Sequence, residues 1–114
     1  MNHATLDNTL AALADESRRA VVDLLRKQPR RAGELAEKLS VSPAAMSRHL
    51  RILRHSGLVR EESIGSDARV RLYQLRKAPF HQLRRWVEEV ESFWAAELDS
   101  FKNHADGATR KRKR

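Results

Sequence analysis

Apolar positions recur at helical spacing along most of this chain, and alternate with polar ones in a single stretch. Between Pro43 and Gly57, Met46, Leu50 and Leu53 fall at i, i+4 and i+7, one stripe of an α-helix. Both ends of that helix are marked. Ser42 is placed to accept from orphan N–H groups one turn on. Pro43 suits the first helical position, where its missing N–H costs nothing. Gly57 suits the left-handed residue that closes a helix. Ala44, Ala45, Ser47, Arg48, His49 and Arg51 lie off the stripe and are small, hydrogen-bonding or cationic. A helix that enters a DNA major groove needs that combination near its N-terminus. Taken alone, the same residues describe an ordinary basic surface helix.

The residues after Gly57 change the balance. Val70, Leu72 and Gln74 alternate with Arg71, Tyr73 and Leu75, which predicts a strand. With the run from Leu58 and the turn chemistry of Gly65-Ser66-Asp67, it predicts a β-hairpin over about 58–63 and 69–75. Arg69 and Arg71 sit near its tip, placed to touch phosphate or the minor groove. Glu61 and Glu62 on the outgoing strand oppose that role. Upstream, Leu35 and Leu39 define a short helix over 32–39, and Ser40-Val41-Ser42 is a tight link. Short helix, tight turn and basic helix make a helix-turn-helix, and the hairpin makes it winged. Two further helices precede it, over about 5–14 with Leu6, Leu10 and Leu13 on one side, and from Glu16 to Lys27 behind an Asp15 cap.

The last predicted helix opens at Pro79 and runs to about Asn103, roughly 37 Å at 1.5 Å per residue. Leu83, Trp86, Val87, Val90, Phe93, Trp94, Leu98 and Phe101 recur along it at three- and four-residue steps. One small domain cannot cover so long a stripe, and leftover apolar surface of this size marks an interface. A second copy of the same helix, with Leu6 and Leu10 of the first helix beside it, is the most economical partner. The alternatives are a stripe folded back on its own chain, or Trp86, Phe93 and Trp94 lining a small-molecule pocket at the seam between subunits.

Leu13-Ala14-Asp15-Glu16-Ser17-Arg18-Arg19, Gly33-Glu34-Leu35-Ala36, Ser47-Arg48-His49-Leu50, Leu53, Gly57-Leu58-Val59 and Arg71-Leu72-Tyr73-Gln74-Leu75 together span about residues 10–76. In order and spacing this set resembles the ArsR/SmtB family of bacterial winged-helix repressors. The resemblance implies a homodimer whose first and last helices pair, repression by covering a promoter, and release by an effector. It puts base-reading positions on Ser42, Ala44, Ala45, Ser47, Arg48 and His49. The family often carries polar residues where Pro43 and Ala44 stand here, so base contacts are expected to be fewer or more apolar, for instance to a thymine methyl group.

Composition bounds the rest. A chain of 114 residues is one domain: residues 1–105 for DNA binding and dimerisation, and 106–114 as a basic tail expected to be disordered. Of the net charge of +8, five come from Arg110-Lys111-Arg112-Lys113-Arg114. Residues 48–77 hold eight basic and three acidic residues, so the positive charge outside the tail gathers on the suspected reading helix and wing. There is no cysteine, which removes thiolate metal sites and thiol redox switches. The family's paired-cysteine site would fall near Arg31-Ala32-Gly33, which cannot bind metal, and His81, Asp99 and His104 do not match its alternative site on the last helix. No metal or other cofactor is expected. Four glycines and no Gly-x-Ser-x-Gly or phosphate-binding loop speak against an enzyme. No run of 18 apolar residues and no secretory signal are found, so the expectation is a cytoplasmic protein without a membrane span. The fold expected is mainly α, a winged helix-turn-helix of about five helices and a two-stranded wing. Its function is expected to be sequence-specific repression on double-stranded DNA as a homodimer, with the effector unknown. A winged-helix protein-interaction module is the competing class.

Overall fold

A computed structural model describes the backbone of residues 3–113 and the side chains of residues 5–67 and 69–105. Among the described residues, five helices and one antiparallel hairpin follow in the order α1 (His3–Ala12), α2 (Glu16–Leu25), α3 (Ala32–Leu39), α4 (Pro43–His55), β1 (Val59–Ile64), β2 (Asp67–Leu75) and α5 (Lys77–Lys113). The chain divides into two units, residues 1–82 and residues 83–114. The basic tail expected over 106–114 lies outside the residues whose side chains are described. Among the described residues no helix is long and apolar enough to cross a membrane.

The first unit closes around the stripes that the sequence marks. Val21 and Leu25 of α2, Leu35 and Ala36 of α3, and Met46, Leu50 and Leu53 of α4 are buried together with Leu58 and Val59. Leu35, Leu53, Leu58 and Val21 have no exposed surface at all. Each such side chain contributes roughly 1.5–3 kcal/mol of transfer free energy, so three short helices that would not persist alone hold one another in place.

The helix ends are set by polar groups. Asp15 Oδ2 accepts from the Arg18 amide at 3.0 Å, and Ser42 Oγ accepts from the Ala45 amide at 3.1 Å, so both predicted N-caps are present. The first helix stops at Ala12, two residues short of expectation. Arg18 Nε donates to the Ala12 carbonyl at 2.7 Å and an Arg19 guanidinium nitrogen to the Leu13 carbonyl at 2.8 Å. These side chains satisfy carbonyls that a helix end leaves without an amide partner. Between α3 and α4, Ser40 adopts a left-handed conformation (φ 53°) and the Val41 amide reaches back to the Ala36 carbonyl at 3.0 Å, which makes the tight turn. Gly57 (φ 79°) closes α4 in the same way, with the Leu58 amide on the Leu53 carbonyl.

The hairpin pairs Val59 with Leu75, Glu61 with Tyr73 and Ser63 with Arg71, and then slips through a bulge between Ser63 and Ile64. Asp67, expected in the turn, is the first residue of β2, and Gly65 (φ 64°) with Ser66 makes the turn. Arg30 adds a one-residue bridge, exchanging both backbone hydrogen bonds with Tyr73. Its own side chain is buried and held by Glu34 at 2.8 Å. The last helix opens at Lys77 rather than Pro79 and runs past the expected end at Asn103 to Lys113, through most of the stretch expected to be disordered. A proline is accommodated anywhere in a first turn, because the amide it lacks would have no intrahelical partner.

Candidate nucleic-acid interface

The core residues of α4 leave its opposite side uncovered. Ala44, Arg48, Arg51 and His55 fall at i, i+4, i+7 and i+11, diametrically across from Met46, Leu50 and Leu53, and all four are exposed. Ser47 flanks this stripe and is exposed as well, as is Ser42 at the cap. Ala45 is half-buried, and its amide is used by the cap. Among the described residues no ion pair or side-chain hydrogen bond ties down Arg48 or Arg51. The stripe therefore presents methyl, hydroxyl and guanidinium groups on a helix fixed at its N-terminus by Ser42, the chemistry that base edges and phosphates accept.

His49 stands apart from the expected outward position. Its side chain is only 18% exposed, and Nδ1 lies 3.9 Å from Asp15 Oδ2, too far for a hydrogen bond. It sits where α4 meets the start of α2, beside the carboxylate that caps α2. The Arg18 amide first, and then the charges of Arg18 and His49, hold the Asp15 carboxyl below its ordinary value.

The wing carries a charge cluster that sequence reasoning placed only in part. Glu61 Oε1 accepts from Arg71 at 3.0 Å and forms an ion pair with Arg54 at 3.3 Å, and its side chain is only 18% exposed. Burial first, and then this carboxylate, raise the pKa of the neighbouring Tyr73 hydroxyl. The expected repulsion of phosphate by Glu61 is thus largely answered within the protein, since two guanidinium groups surround one acid. Glu62 accepts from Gln74 at 2.9 Å. Arg69, almost wholly exposed, shares its charge with Asp67 at 3.4 Å. Arg54, which reaches from α4 to β1, was not among the residues singled out from the sequence. Strand alternation was the signal available, because it puts Glu61, Tyr73 and Arg71 on one face of the hairpin.

In the second unit, Phe93, Trp94, Leu98 and Phe101 are 60–74% exposed, and Trp86 is 37% exposed. Leu83 and Val90 are half-buried. In the first unit Leu10 is 40% exposed, but Leu6 is buried within its own chain and offers little surface to a partner.

Comparison with known proteins agrees with this geometry. Residues 15–61 match the family model of bacterial regulatory proteins of the arsR family. The HTH-type transcriptional regulator Rv2034 of Mycobacterium tuberculosis is 37% identical over 83% of this chain and 83% of its own length. The transcriptional repressor SdpR of Bacillus subtilis is 32% identical over 53% of this chain and 67% of its own. Among solved structures, an ArsR-like transcriptional regulator from Rhodococcus sp. RHA1 superposes with a TM-score of 0.73 at 30% identity, covering 89% of this chain and 92% of that one. The chain belongs to the ArsR family, the winged helix-turn-helix, DNA-binding regulators of bacterial transcription, and is not an enzyme.

Proposed function

We propose that the protein is a homodimeric repressor that covers an inverted-repeat operator in the cytoplasm, one α4 helix reading each half-site. The outward stripe of α4 carries the reading, since its exposed groups are small, hydroxylic or cationic and its arginines have no partner among the described residues. Ser42, Ala44, Ser47, Arg48 and Arg51 meet the DNA directly. His49 acts at the edge of that surface, and Arg69 and Arg71 place the wing beside the backbone with their charges shared with Asp67 and Glu61. Dimerisation is supported by α5. At 100° per residue, Leu83, Trp86, Val90, Phe93, Trp94, Leu98 and Phe101 fall within an arc of about 140°, and the last four are mostly exposed. Two reading helices in one dimer call for half-sites about one DNA turn apart.

The test is fluorescence anisotropy with duplex from the gene's own upstream region, beside a scrambled duplex at near-physiological salt. A preference of about 10³ or more, with two subunits per site, is expected. Arg48→Ala should weaken specific binding while leaving the melting temperature in place. Trp94→Glu should split the dimer and abolish tight operator binding. Equal binding to both duplexes, or an unchanged sedimentation coefficient for Trp94→Glu, overturns the corresponding half of the reading.

A further inference from the structure

We infer that the cleft between the end of α2, the end of β2 and the first turn of α5 binds an amphipathic organic anion, a carboxylate on an apolar body such as a medium-chain fatty acid. The cleft measures about 530 Å³, within the roughly 300–1,000 Å³ of small-molecule sites. Val22, Leu25, Pro29, Leu75 and Phe80 give it mostly apolar walls. Val22, Leu75 and Phe80 are only partly buried although they pack on the core, so apolar surface is left for a ligand to cover.

The rim is cationic. Lys27 and Arg26 approach from the end of α2, and Arg76 and Lys77 from the junction of β2 and α5. Among the described residues no carboxylate lines the cleft. Arg26 is already engaged with Asp23 at 3.6 Å, while no ion pair holds Lys27 or Lys77 among the described residues. The first turn of α5 has no acidic residue and opens on a lysine, a positive charge at the positive end of the helix dipole, which an anion relieves. An uncharged apolar ligand would leave that repulsion in place, and a cation would worsen it. These groups all belong to residues 22–81 and include none of the outward stripe of α4 and none of the exposed aromatic residues of α5. The inference therefore does not rest on the repressor reading.

Calorimetric titration and thermal-shift measurements on the full chain without DNA test it, below micelle-forming concentrations. The probes are hexanoate, octanoate and decanoate, beside decanol and decyltrimethylammonium. Decanoate is expected to bind and raise the melting temperature, with affinity growing about two- to fourfold per added methylene. Decanol should bind at least about tenfold more weakly, and the cation weaker still. The double variant Lys27→Gln, Lys77→Gln alters only exposed side chains and should lower decanoate affinity about tenfold at an unchanged ligand-free melting temperature. Val22→Phe should fill the cleft and block binding, and Phe93→Ser should leave binding intact. Equal binding of decanoate and decanol overturns the inference, as does full affinity in the lysine double variant or absence of binding at millimolar decanoate. Loss of binding in Phe93→Ser also overturns it, since the anion would then sit on the exposed aromatic face of α5 and not in the cleft at its first turn.

Discussion

Replacing Glu61 with Gln separates the two jobs that the wing's arginines can do. The substitution keeps the shape and an acceptor oxygen but removes the charge that Arg54 and Arg71 share at 3.3 and 3.0 Å. Both arginines are about half exposed, so each pair is worth less than about 1 kcal/mol. The loss of stability should be about 1 kcal/mol in total, or roughly 4–8 °C in melting temperature for a domain of this size. The effect on DNA runs the other way. Two guanidinium groups released from the carboxylate can each neutralise a phosphate, and each adds about 0.9 to the slope of log affinity against log salt. Nonspecific binding of Glu61→Gln should therefore steepen by up to about 1.8 per subunit. Between 50 and 200 mM salt that is about one further decade of affinity lost. Binding at low salt should rise, and the preference for operator over scrambled duplex should fall, because the ties from β1 to α4 and β2 are weakened. Anisotropy titrations over a salt series on scrambled duplex, beside circular-dichroism melts, read both quantities. An unchanged slope together with an unchanged melting temperature would refute the reasoning, since neither arginine would then be held by Glu61.

Two other substitutions test the scaffold beneath the reading surface. Ser42→Ala removes the hydroxyl that receives the Ala45 amide and should cost about 1 kcal/mol; amide hydrogen exchange should quicken first at residues 44–46, and uniform quickening through the chain would contradict a local role. Asp15 has a carboxyl held below its ordinary pKa of 3.8 by the Arg18 amide, so its stabilisation is present above that value and is lost as pH falls through the lower folded one. Urea melts should accordingly show Asp15→Ala less stable than the parent at pH 7, with the gap closing below about pH 4; a gap independent of pH would remove the charged cap from the account.

Local constraints were legible in the sequence, and constraints reaching between elements were not. Ser42, Pro43 and Gly57 bound α4 through groups within one turn of themselves, so its limits could be read from the chain alone. The end of α1 falls two residues early because the Ala14 amide turns back to the Ala11 carbonyl at 3.2 Å, and the side chains of Arg18 and Arg19, six residues ahead, cover the carbonyls left open there. His49 lies just beside the apolar stripe of α4, where spacing does not decide between inside and outside; the neighbouring Asp15 of another element accompanies its inward position. The role of Glu61 depends on strand register, which a count of acids on one strand does not contain. The spacing of the apolar residues on α5 was visible, whereas burial of Leu6 within its own chain was not, because a stripe does not say which of its members the same chain covers.

The same geometry revises what the net charge means for DNA binding. Residues 48–77 carry eight basic side chains, but they are not equally available. Arg54 and Arg71 share Glu61, and Arg69 shares Asp67. Arg76 and Lys77 line the cleft at the start of α5. Arg48 and Arg51 remain on the outward stripe of α4, with Arg60 exposed on the wing. Two to three phosphates neutralised per subunit give a log–log salt slope of about −2 to −3, or about −4 to −5 for a dimer. Counting all eight would give about −7 per subunit. The slope on scrambled duplex for a chain ending at Ala105 decides between the two counts, because it leaves out the charges of Arg110 to Arg114. A value near the larger figure would mean that DNA displaces Glu61 and Asp67 from their arginines. The ion pairs of the wing would then be a resting arrangement given up on binding, and Glu61→Gln would change affinity at low salt without steepening the slope.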